Sequence, residues 1–423
     1  MKVLIVGGGG REHALAWKIA QSPRVEKLYC APGNGGIRSI AECVPIKATD
    51  IDGIVRFAVD KKTDLVVVAP DDPLAAGMVD ALEKAGIRAF GPDKNAAVIE
   101  SSKVFSKNLM KKYGIPTAAY EVFDNYDAAV GYLKTASYPA VIKANGLALG
   151  KGVVIAGNYE EALKAVNDMM SARVFGAAGE RIVIEEFLTG PELSILTFTD
   201  GKTIVPMVSS RDHKRALDND QGLNTGGMGT FSPSKLYTKE LDSWCMENIF
   251  KPTVAAMNAE NRKFKGVLYF GLILTDDGPK VLEYNARFGD PETQVILPLL
   301  KSDLIEIFNA VIDEKLDSVK IEWEDSAAVC VILASGGYPV KYRTGLEITG
   351  LEEAEKDPSV IIFHAGTKYE NGKYYTSGGR VLGVTAVSDS IDSARLKAYN
   401  SVAKINFSGM HYRSDIGMKR RFR

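Results

Sequence analysis

Apolar and polar positions along the chain fall into alternating textures. Residues 3–6 (Val3, Leu4, Ile5, Val6) form an uninterrupted apolar run ending in four glycines, the pattern of a strand buried on both faces of a parallel sheet. The run at 65–69 repeats it. Asp72 and Pro73 then supply helix-start chemistry, Leu74, Met78 and Leu82 recur every four residues, and Gly86 closes the helix. Strand, loop and helix in this order predict an open α/β domain over 1–103, with ligands beyond the carboxyl ends of its strands. A helix at 104–112 stops at Gly114 and Pro116.

The texture changes there. Short strands at 141–143, 153–155 and 182–184, with a glycine loop and a helix near 159–171, predict a small α+β unit over 117–189 that could move as a lid. Longer strands at 193–199, 204–208, 267–274 and 281–284 predict a larger sheet over 190–315. The charged stretch 315–325 reads as a linker. Over 316–423, strands at 329–333, 360–363 and 381–386 and a helix on Ile391, Ala394, Ala398, Val402 and Ile405 predict a small C-terminal α/β domain. The fold class is therefore multidomain α/β, with a central region at 104–315 between an open parallel-sheet domain and the C-terminal domain.

At 423 residues several domains are expected, and 46% hydrophobic with 25% charged residues excludes a disordered chain. Lys and Arg number 52 against 53 Asp and Glu, so no overall field draws the chain to nucleic acid or an acidic membrane. Four scattered cysteines suit a reducing compartment, and the cytoplasm is expected. Four scattered histidines disfavour a histidine-built zinc site, leaving oxygen ligands for any metal. The N-terminus carries no secretory signal pattern and no apolar run is long enough to span a bilayer. Glycine is in excess, 40 residues or about 9% against a usual ~7%, and much of it sits in loops.

The first such loop, Gly7-Gly8-Gly9-Gly10-Arg11-Glu12-His13, lacks the third glycine of a dinucleotide fingerprint. Backbone N–H groups at the start of a helix still favour a phosphate or phosphosugar, and a tight turn is the alternative. Loops with Gly33 and Asn34, and with Asp71, would open on the same rim and offer acceptors to sugar hydroxyls. The second glycine loop, from Lys143 to Val153, reads G-x-x-x-G-K-G at 146–152, which is not the P-loop spacing. It could cradle phosphates or simply turn a hairpin. Glu185, Glu186, Phe187, Leu188 and Glu192 could serve an adenine and its ribose, or the two adjacent acids could be solvated. The polar, glycine-rich stretch 211–229 reads as a long loop, of the kind that is usually functional or disordered, with His213 a solvated residue in it, and the basic tail 419–423 as a solvated end.

The segment from Val281 to Thr293 is the most informative. In a strand, Glu283, Asn285 and Arg287 project to one face, bringing two oxygen donors and a cation together. A carboxylate with an amide oxygen suits Mg²⁺ completed by substrate phosphates, and Arg287 can stabilise charge developing beside it. A Glu283–Arg287 salt bridge is the alternative.

In order, GGGGREHAL, APGNGG, GLALGKGVV, IEEFLTGPE, RDHKR, NTGGMG, EYNARFGDPETQ, SGGYP, HAGT and GGRVLGVTA resemble, over nearly the whole chain, the ATP-grasp ligases and within them the glycinamide ribonucleotide synthetases of purine biosynthesis. The resemblance implies an ATP-grasp core at 104–315 and a phosphosugar-binding N-terminal domain. It implies ATP with Mg²⁺ or Mn²⁺, and glycine and 5-phosphoribosylamine as partners of a monomeric chain. Lys103 and Lys143 would reach phosphates or adenine, Glu185, Glu186, Phe187 and Leu188 would line adenine, Glu192 would take the ribose, and Gly146, Gly150, Lys151 and Gly152 would close over the triphosphate. Glu283 and Asn285 would hold the metal, and Arg287 and Asp290 are the catalytic candidates. Gly9, Gly10, Arg11, Gly33, Asn34, Asp71, Asp212, Lys214, Gly289 and Glu292 are the substrate-binding ones. Glycine would become glycyl phosphate and then be captured by the amine. Two positions depart from the pattern: Asn145 stands where an aspartate is usual, and Phe270 where related ligases often have a second carboxylate. Another carboxylate–amine ligase of purine synthesis, a nicotinamide-dependent oxidoreductase and a non-catalytic ATP-binding module are the competing readings.

Overall fold

The structure is a computed structural model that describes residues 1–147 and 152–418. Gly150 and Lys151 of the second glycine loop and the tail 419–423 lie outside the described residues.

Five parallel strands form the first sheet, in the order Glu42–Cys43, Lys27–Pro32, Lys2–Gly7, Leu65–Val68, Ala89–Phe90. The central strand is buried on both sides, as its apolar run predicts: Val3 and Ile5 enter one core and Leu4 and Val6 another. The strand order reverses between Lys2–Gly7 and Leu65–Val68, which opens a crevice beyond their carboxyl ends, where Gly7–Gly10 and Ala69–Asp71 lie. The single helix expected after residue 72 is instead two, Asp71–Ala76 and Met78–Lys84, with Pro70 rather than Asp72 at the first cap. Gly77, at φ +95°, ends the first in a left-handed conformation open to glycine, while Leu74, Met78 and Leu82 still bury together.

Helix Lys94–Ser101, capped by Asp93, and helix Lys103–Tyr113, capped by Ser102 and ended by Gly114, lead to a four-stranded antiparallel sheet. Its order is Tyr120–Phe123, Ile182–Glu186, Ala140–Ala144, Val153–Ala156. A second antiparallel sheet runs Ile204–Pro206, Glu192–Thr199, Gly266–Thr275, Gly278–Asn285. The small sheet meets the last strand of the larger one, where Thr117 bridges Val281 and the Lys143 ammonium donates to Leu282 O at 3.2 Å.

The stretch 211–229 is an exposed hairpin only in its middle, around 217–223, and its ends are built into a sheet. Arg211–Asp212 and Gly229–Ser232 are strands of the C-terminal sheet, whose order continues through Ala327–Ala334, Arg380–Ser388 and Val360–His364. Between them Met228 is fully buried, and His213 is 6% exposed. The glycines there are needed for close approach: at Gly227, φ +115°, a Cβ would lie 2.4 Å from Pro291 Cδ and 2.7 Å from Asp212 Oδ1. The charged linker is also partly packed, with Leu316 buried and its N–H donating to Asp200 Oδ2 at 3.0 Å. One continuous core, from Val3 and Ile5 through Tyr269, Phe288 and Phe308 to Cys330 and Phe363, joins the three regions and fixes the clefts between them. Among the described residues, no helix is long and apolar enough to cross a membrane.

Candidate active site

Three groups of side chains adjoin one another along the crevice. The first lies between the two antiparallel sheets. Glu185, 3% exposed, is held by two ammonium groups, Lys107 Nζ at 2.8 Å and Lys143 Nζ at 2.9 Å. It is therefore not a solvated acid: its Oε2 accepts from Lys143 Nζ at 3.0 Å and faces Lys107, while Oε1 lies in ion-pair range of Lys143 without a hydrogen bond of its own. Lys107 carries no motif. It stands on the buried face of helix Lys103–Tyr113, and burial lowers its pKa to about 8. Glu186 is exposed and accepts the Ala119 N–H at 2.9 Å, Phe187 is exposed and Leu188 half-buried at the strand end. Lys103 Nζ donates to Gly146 O at 3.0 Å. Gly152 O accepts the Ala144 N–H at 2.8 Å, which closes the described base of the glycine loop. Asn145, the departure from the family pattern, braces the fold: its Oδ1 accepts from Ser102 Oγ at 3.0 Å and Val104 N at 2.9 Å, fastening the loop base to the start of a helix.

The second group lies on strand Gly278–Asn285 and the turn after it. Glu283 is paired with Gly271 and Asn285 with Tyr269, so both face one side, while Phe270 and Tyr284 face the other. Phe270 packs against Phe250 and Tyr284, with ring centres 4.5 and 5.4 Å away. A carboxylate there would point into an apolar core. Lys214 Nζ lies 3.3 Å from both Glu192 Oε2 and Glu283 Oε1, and this ammonium above all lowers the Glu283 pKa to about 2. Arg287 comes two residues after the strand ends. Its guanidinium is 2.9 Å from Glu100 Oε1 and donates to Asn285 Oδ1 at 3.1 Å and Phe288 O at 3.2 Å, while its Nε is buried without a hydrogen-bond partner. The arginine's carboxylate partner is thus Glu100, which no sequence pattern marked, and Glu283 pairs with lysine instead. Among the described residues, no three or more His, Cys, Asp or Glu side chains gather as a metal cluster. The ionised Glu283 and the Asn285 amide oxygen are nonetheless two hard oxygen donors on one face, which fits a magnesium-type ion completed by substrate oxygens.

Between this group and the third sit Asp212 and Glu292. Glu292, 3% exposed, accepts from Tyr269 Oη at 2.8 Å and Ser194 Oγ at 3.2 Å. Burial, and next the Glu292 carboxylate, push Asp212 well above the ordinary carboxylate range. Gly289 is packed against Glu292, where a Cβ would lie 2.4 Å from Oε2.

The third group surrounds a cavity of about 400 Å³ lined by Gly8, Gly9, Gly33, Asn34 and Asp290 from one side and Tyr338, Gly366, Thr367, Ser377 and Arg380 from the other. Arg380 is 3.1 Å from Asp290 Oδ2 and also donates to Asp290 O at 2.8 Å and Gly226 O at 2.6 Å. Burial opposes the Asp290 charge, but Arg380 and Arg11 outweigh it and hold its pKa below the usual range. Asn34 is an internal brace: its amide donates to Gly8 O and His364 O, and its oxygen accepts from Gly36 and Ile37 N–H. Arg11 is likewise committed, to Glu12 Oε1 at 2.6 Å and Phe288 O at 3.2 Å, and Gly10 packs on Gln294. Asp71 opens helix Asp71–Ala76 and its Oδ1 accepts the Asp72 N–H at 3.1 Å. Sequence alone places the sugar site on the N-terminal loops. The C-terminal half of the wall is present in the chain as SGGYP, HAGT and GGRVLG, but only the fold brings those strings to Gly8 and Asn34.

Two histidines clamp this wall. His13 Nδ1 accepts the His364 N–H at 2.8 Å, and His364 Nδ1 lies 3.0 Å from Thr367 Oγ1. Burial lowers the pKa of His13 to about 3, with His364 adding to it, and that of His364 to about 4. Both values fall below the unfolded one near 6.5, so each neutral imidazole contributes stability that is fully present above that pH and is lost as pH falls toward the folded value. Between pH 7 and pH 5 the loss is about 2 kcal/mol per histidine. Urea unfolding at the two pH values is expected to show it, and His13→Gln should shrink the difference by that amount. An unchanged pH dependence in the variant contradicts a buried neutral imidazole.

Family models of phosphoribosylglycinamide synthetase match the chain in three pieces: the N domain at 1–100, the ATP-grasp (A) domain at 101–293 and the C domain at 328–419. A curated relative from Caldanaerobacter subterraneus, named phosphoribosylamine–glycine ligase, is 51% identical over 98% of this chain and 99% of its own length. A Gallus gallus trifunctional purine biosynthetic protein is 52% identical over 99% of this chain, which spans 42% of that protein. Among solved structures, phosphoribosylamine–glycine ligase of Thermotoga maritima superposes with a TM-score of 0.84 at 35% identity, covering 98% of this chain and all of that one. Biotin carboxylase of Campylobacter jejuni, in complex with an ATP analogue, shares the fold at a TM-score of 0.75 and 15% identity, covering 97% and 92% of the two chains. With the motifs in one order and three domain models of one family matching most of the chain, the chain belongs to the phosphoribosylglycinamide synthetase family and is an ATP-dependent ligase of purine biosynthesis with an ATP-grasp core.

Proposed function

We propose that the chain joins glycine to 5-phosphoribosylamine through glycyl phosphate, yielding glycinamide ribonucleotide, ADP and phosphate, as a monomer in a reducing cytoplasm. One observation carries this reading: the eight residues 283–290 run from the cleft between the antiparallel sheets, at Glu283, to the wall of the 400 Å³ cavity, at Asp290. The reacting ends of a nucleotide and a sugar placed in those two spaces meet beside Arg287.

Adenine lies along the end of strand Ile182–Glu186 against Phe187 and Leu188, with Glu192 toward the ribose and Lys103 and Lys143 toward the phosphates. Glu185 aligns the Lys143 ammonium. Gly146 and Gly152 stand at the two ends of the glycine loop, whose role is to cover the triphosphate and keep water from two labile species. Glu283 and Asn285 would hold Mg²⁺ or Mn²⁺, which when bound draws charge from the phosphoryl oxygens. A glycine carboxylate oxygen bonds to the γ-phosphorus as the bond to the β,γ-bridging oxygen breaks and ADP leaves. The phosphoribosylamine nitrogen then bonds to the glycyl carbonyl carbon, the carbon–oxygen bond to phosphate breaks, and the nitrogen gives up a proton. Arg287 donates to the oxyanion of that second step. Asp290 accepts from the amine, while Gly9, Gly33 and the Arg380 side of the cavity hold the phosphosugar. Asp212, Lys214 and Glu292 lie between the two, where glycine must sit.

The bond changes make an isotopic test direct. Glycine labelled with ¹⁸O in its carboxylate is expected to deliver one labelled oxygen to each phosphate released. Unlabelled phosphate contradicts the acyl phosphate route. Arg380→Ala is expected to raise the KM for phosphoribosylamine about 10- to 100-fold, the equivalent of about 1.5–3 kcal/mol for a charge-assisted hydrogen bond, with the KM for ATP within about twofold. Steady-state kinetics at varied phosphoribosylamine checks it, and an equal rise in both KM values contradicts this placement.

A further inference from the structure

Glu100 lies outside every motif, yet its side chain, 8% exposed, meets Arg287 at 2.9 Å through Oε1 and accepts the Ala286 N–H at 2.7 Å through Oε2. It therefore fixes both the guanidinium and the backbone that leads into it. Arg287 has no other carboxylate partner among the described residues, and its remaining contacts are the Asn285 amide oxygen and the Phe288 carbonyl. A flexible arginine held at one end of its planar fork by a buried carboxylate oxygen and the Asn285 amide oxygen, and at the other by the Phe288 carbonyl, loses its rotational freedom before substrate arrives, which is what a preorganised oxyanion donor needs.

Glu100 also ends one helix, Lys94–Ser101, and the residues that follow start the next. Ser102 Oγ donates to Asn145 Oδ1 at 3.0 Å, Lys103 N–H to Asn145 O at 3.0 Å and Lys103 Nζ to Gly146 O at 3.0 Å. Within four residues, then, the chain grips the arginine on one side and the base of the glycine loop on the other.

We propose that Glu100 is a positioning residue for the ligation step: it sets the Arg287 guanidinium for the acyl oxyanion and, through Ser102 and Lys103, ties that setting to the base of the glycine loop. The inference rests on the role given to Arg287 above. Glu100→Gln keeps the size of the side chain but can no longer present two acceptor oxygens, to the guanidinium and to Ala286. Glu100→Asp keeps the charge and withdraws it by one methylene.

The test is steady-state kinetics of the full chain with ATP, glycine and phosphoribosylamine varied separately. Glu100→Gln is expected to lower kcat about 10- to 100-fold, the range seen when a group that orients a site residue is lost, with each KM within about twofold. Glu100→Asp should fall between it and the parent. In the Arg287→Ala background the Gln substitution should cost less than a further twofold, because nothing is left to position. A KM increase in place of the kcat loss, an undiminished effect of Gln in the Arg287→Ala background, or parental kcat in both Glu100 variants overturns the proposal. If Glu100→Gln does not fold, the Asp variant alone decides it by the same kcat-against-KM comparison. An Arg287→Ala chain with parental kcat would instead remove the role of Arg287 itself.

Discussion

Arg287→Ala is expected to slow ligation about 10²- to 10³-fold, the range for losing one preorganised oxyanion donor, while ATP binding stays within about twofold. The separation follows from placement. The guanidinium sits beyond the end of strand Gly278–Asn285, on the side leading to the 400 Å³ cavity, whereas Lys103 and Lys143, which the proposal turns toward the nucleotide, are held by Gly146 O and Glu185. On the proposed mechanism, its Nε, buried without a hydrogen-bond partner, would be the donor left for the oxyanion. Arg287→Lys is not expected to rescue, since an ammonium cannot span Glu100, Asn285 and an oxyanion from one rigid plane. Turnover numbers with titration calorimetry of ATP check both halves. Parental turnover in Arg287→Ala rejects the catalytic role, and lost ATP binding moves the residue to the nucleotide site.

Glu185→Ala is expected to produce the largest loss of stability, about 3–5 kcal/mol, because it strands charge in a dry place. Lys107 and Lys143 have side-chain exposures of 2% and 9%, and their shared counter-ion is this carboxylate. Lys107 cannot reach water without unpacking helix Lys103–Tyr113 from the small sheet. Adding Lys107→Met should recover part of the loss, since one of the two stranded charges is then gone and an apolar chain fills its path. Thermal or urea unfolding of the single and double variants measures this. A Glu185→Ala chain as stable as the parent contradicts the buried ion triad.

The strand signals that read well in the sequence are those whose neighbours are all apolar. Residues 3–6 have no polar face in any register, so a two-sided burial follows from the run itself. Ala394, Ala398 and Val402 announce their helix because spacing alone sets which face packs. The stretch 211–229 misleads because the burial of its ends comes from tertiary partners: Gly229–Ser232 pairs with Ala327–Ala334, and glycines that look like loop are there to admit Pro291 and Asp212. Glu283 and Asn285 are legible as a pair because strand alternation puts them on one face. Arg287 is legible only as a neighbour, since its position depends on Glu100, and Glu100 stands in an ordinary helix. Lys107, Arg380 and the His13–His364 clamp share that property. Each becomes part of the site through tertiary approach, which no local spacing encodes.

Phosphate release measured with ATP, Mg²⁺, glycine and freshly made phosphoribosylamine, and then with each omitted in turn, tests the central claim most directly. Sustained phosphate release is expected only when all four are present. Sustained release without glycine, or equal release when formate or bicarbonate replaces it, would contradict the assignment of glycine as the carboxylate that this site activates.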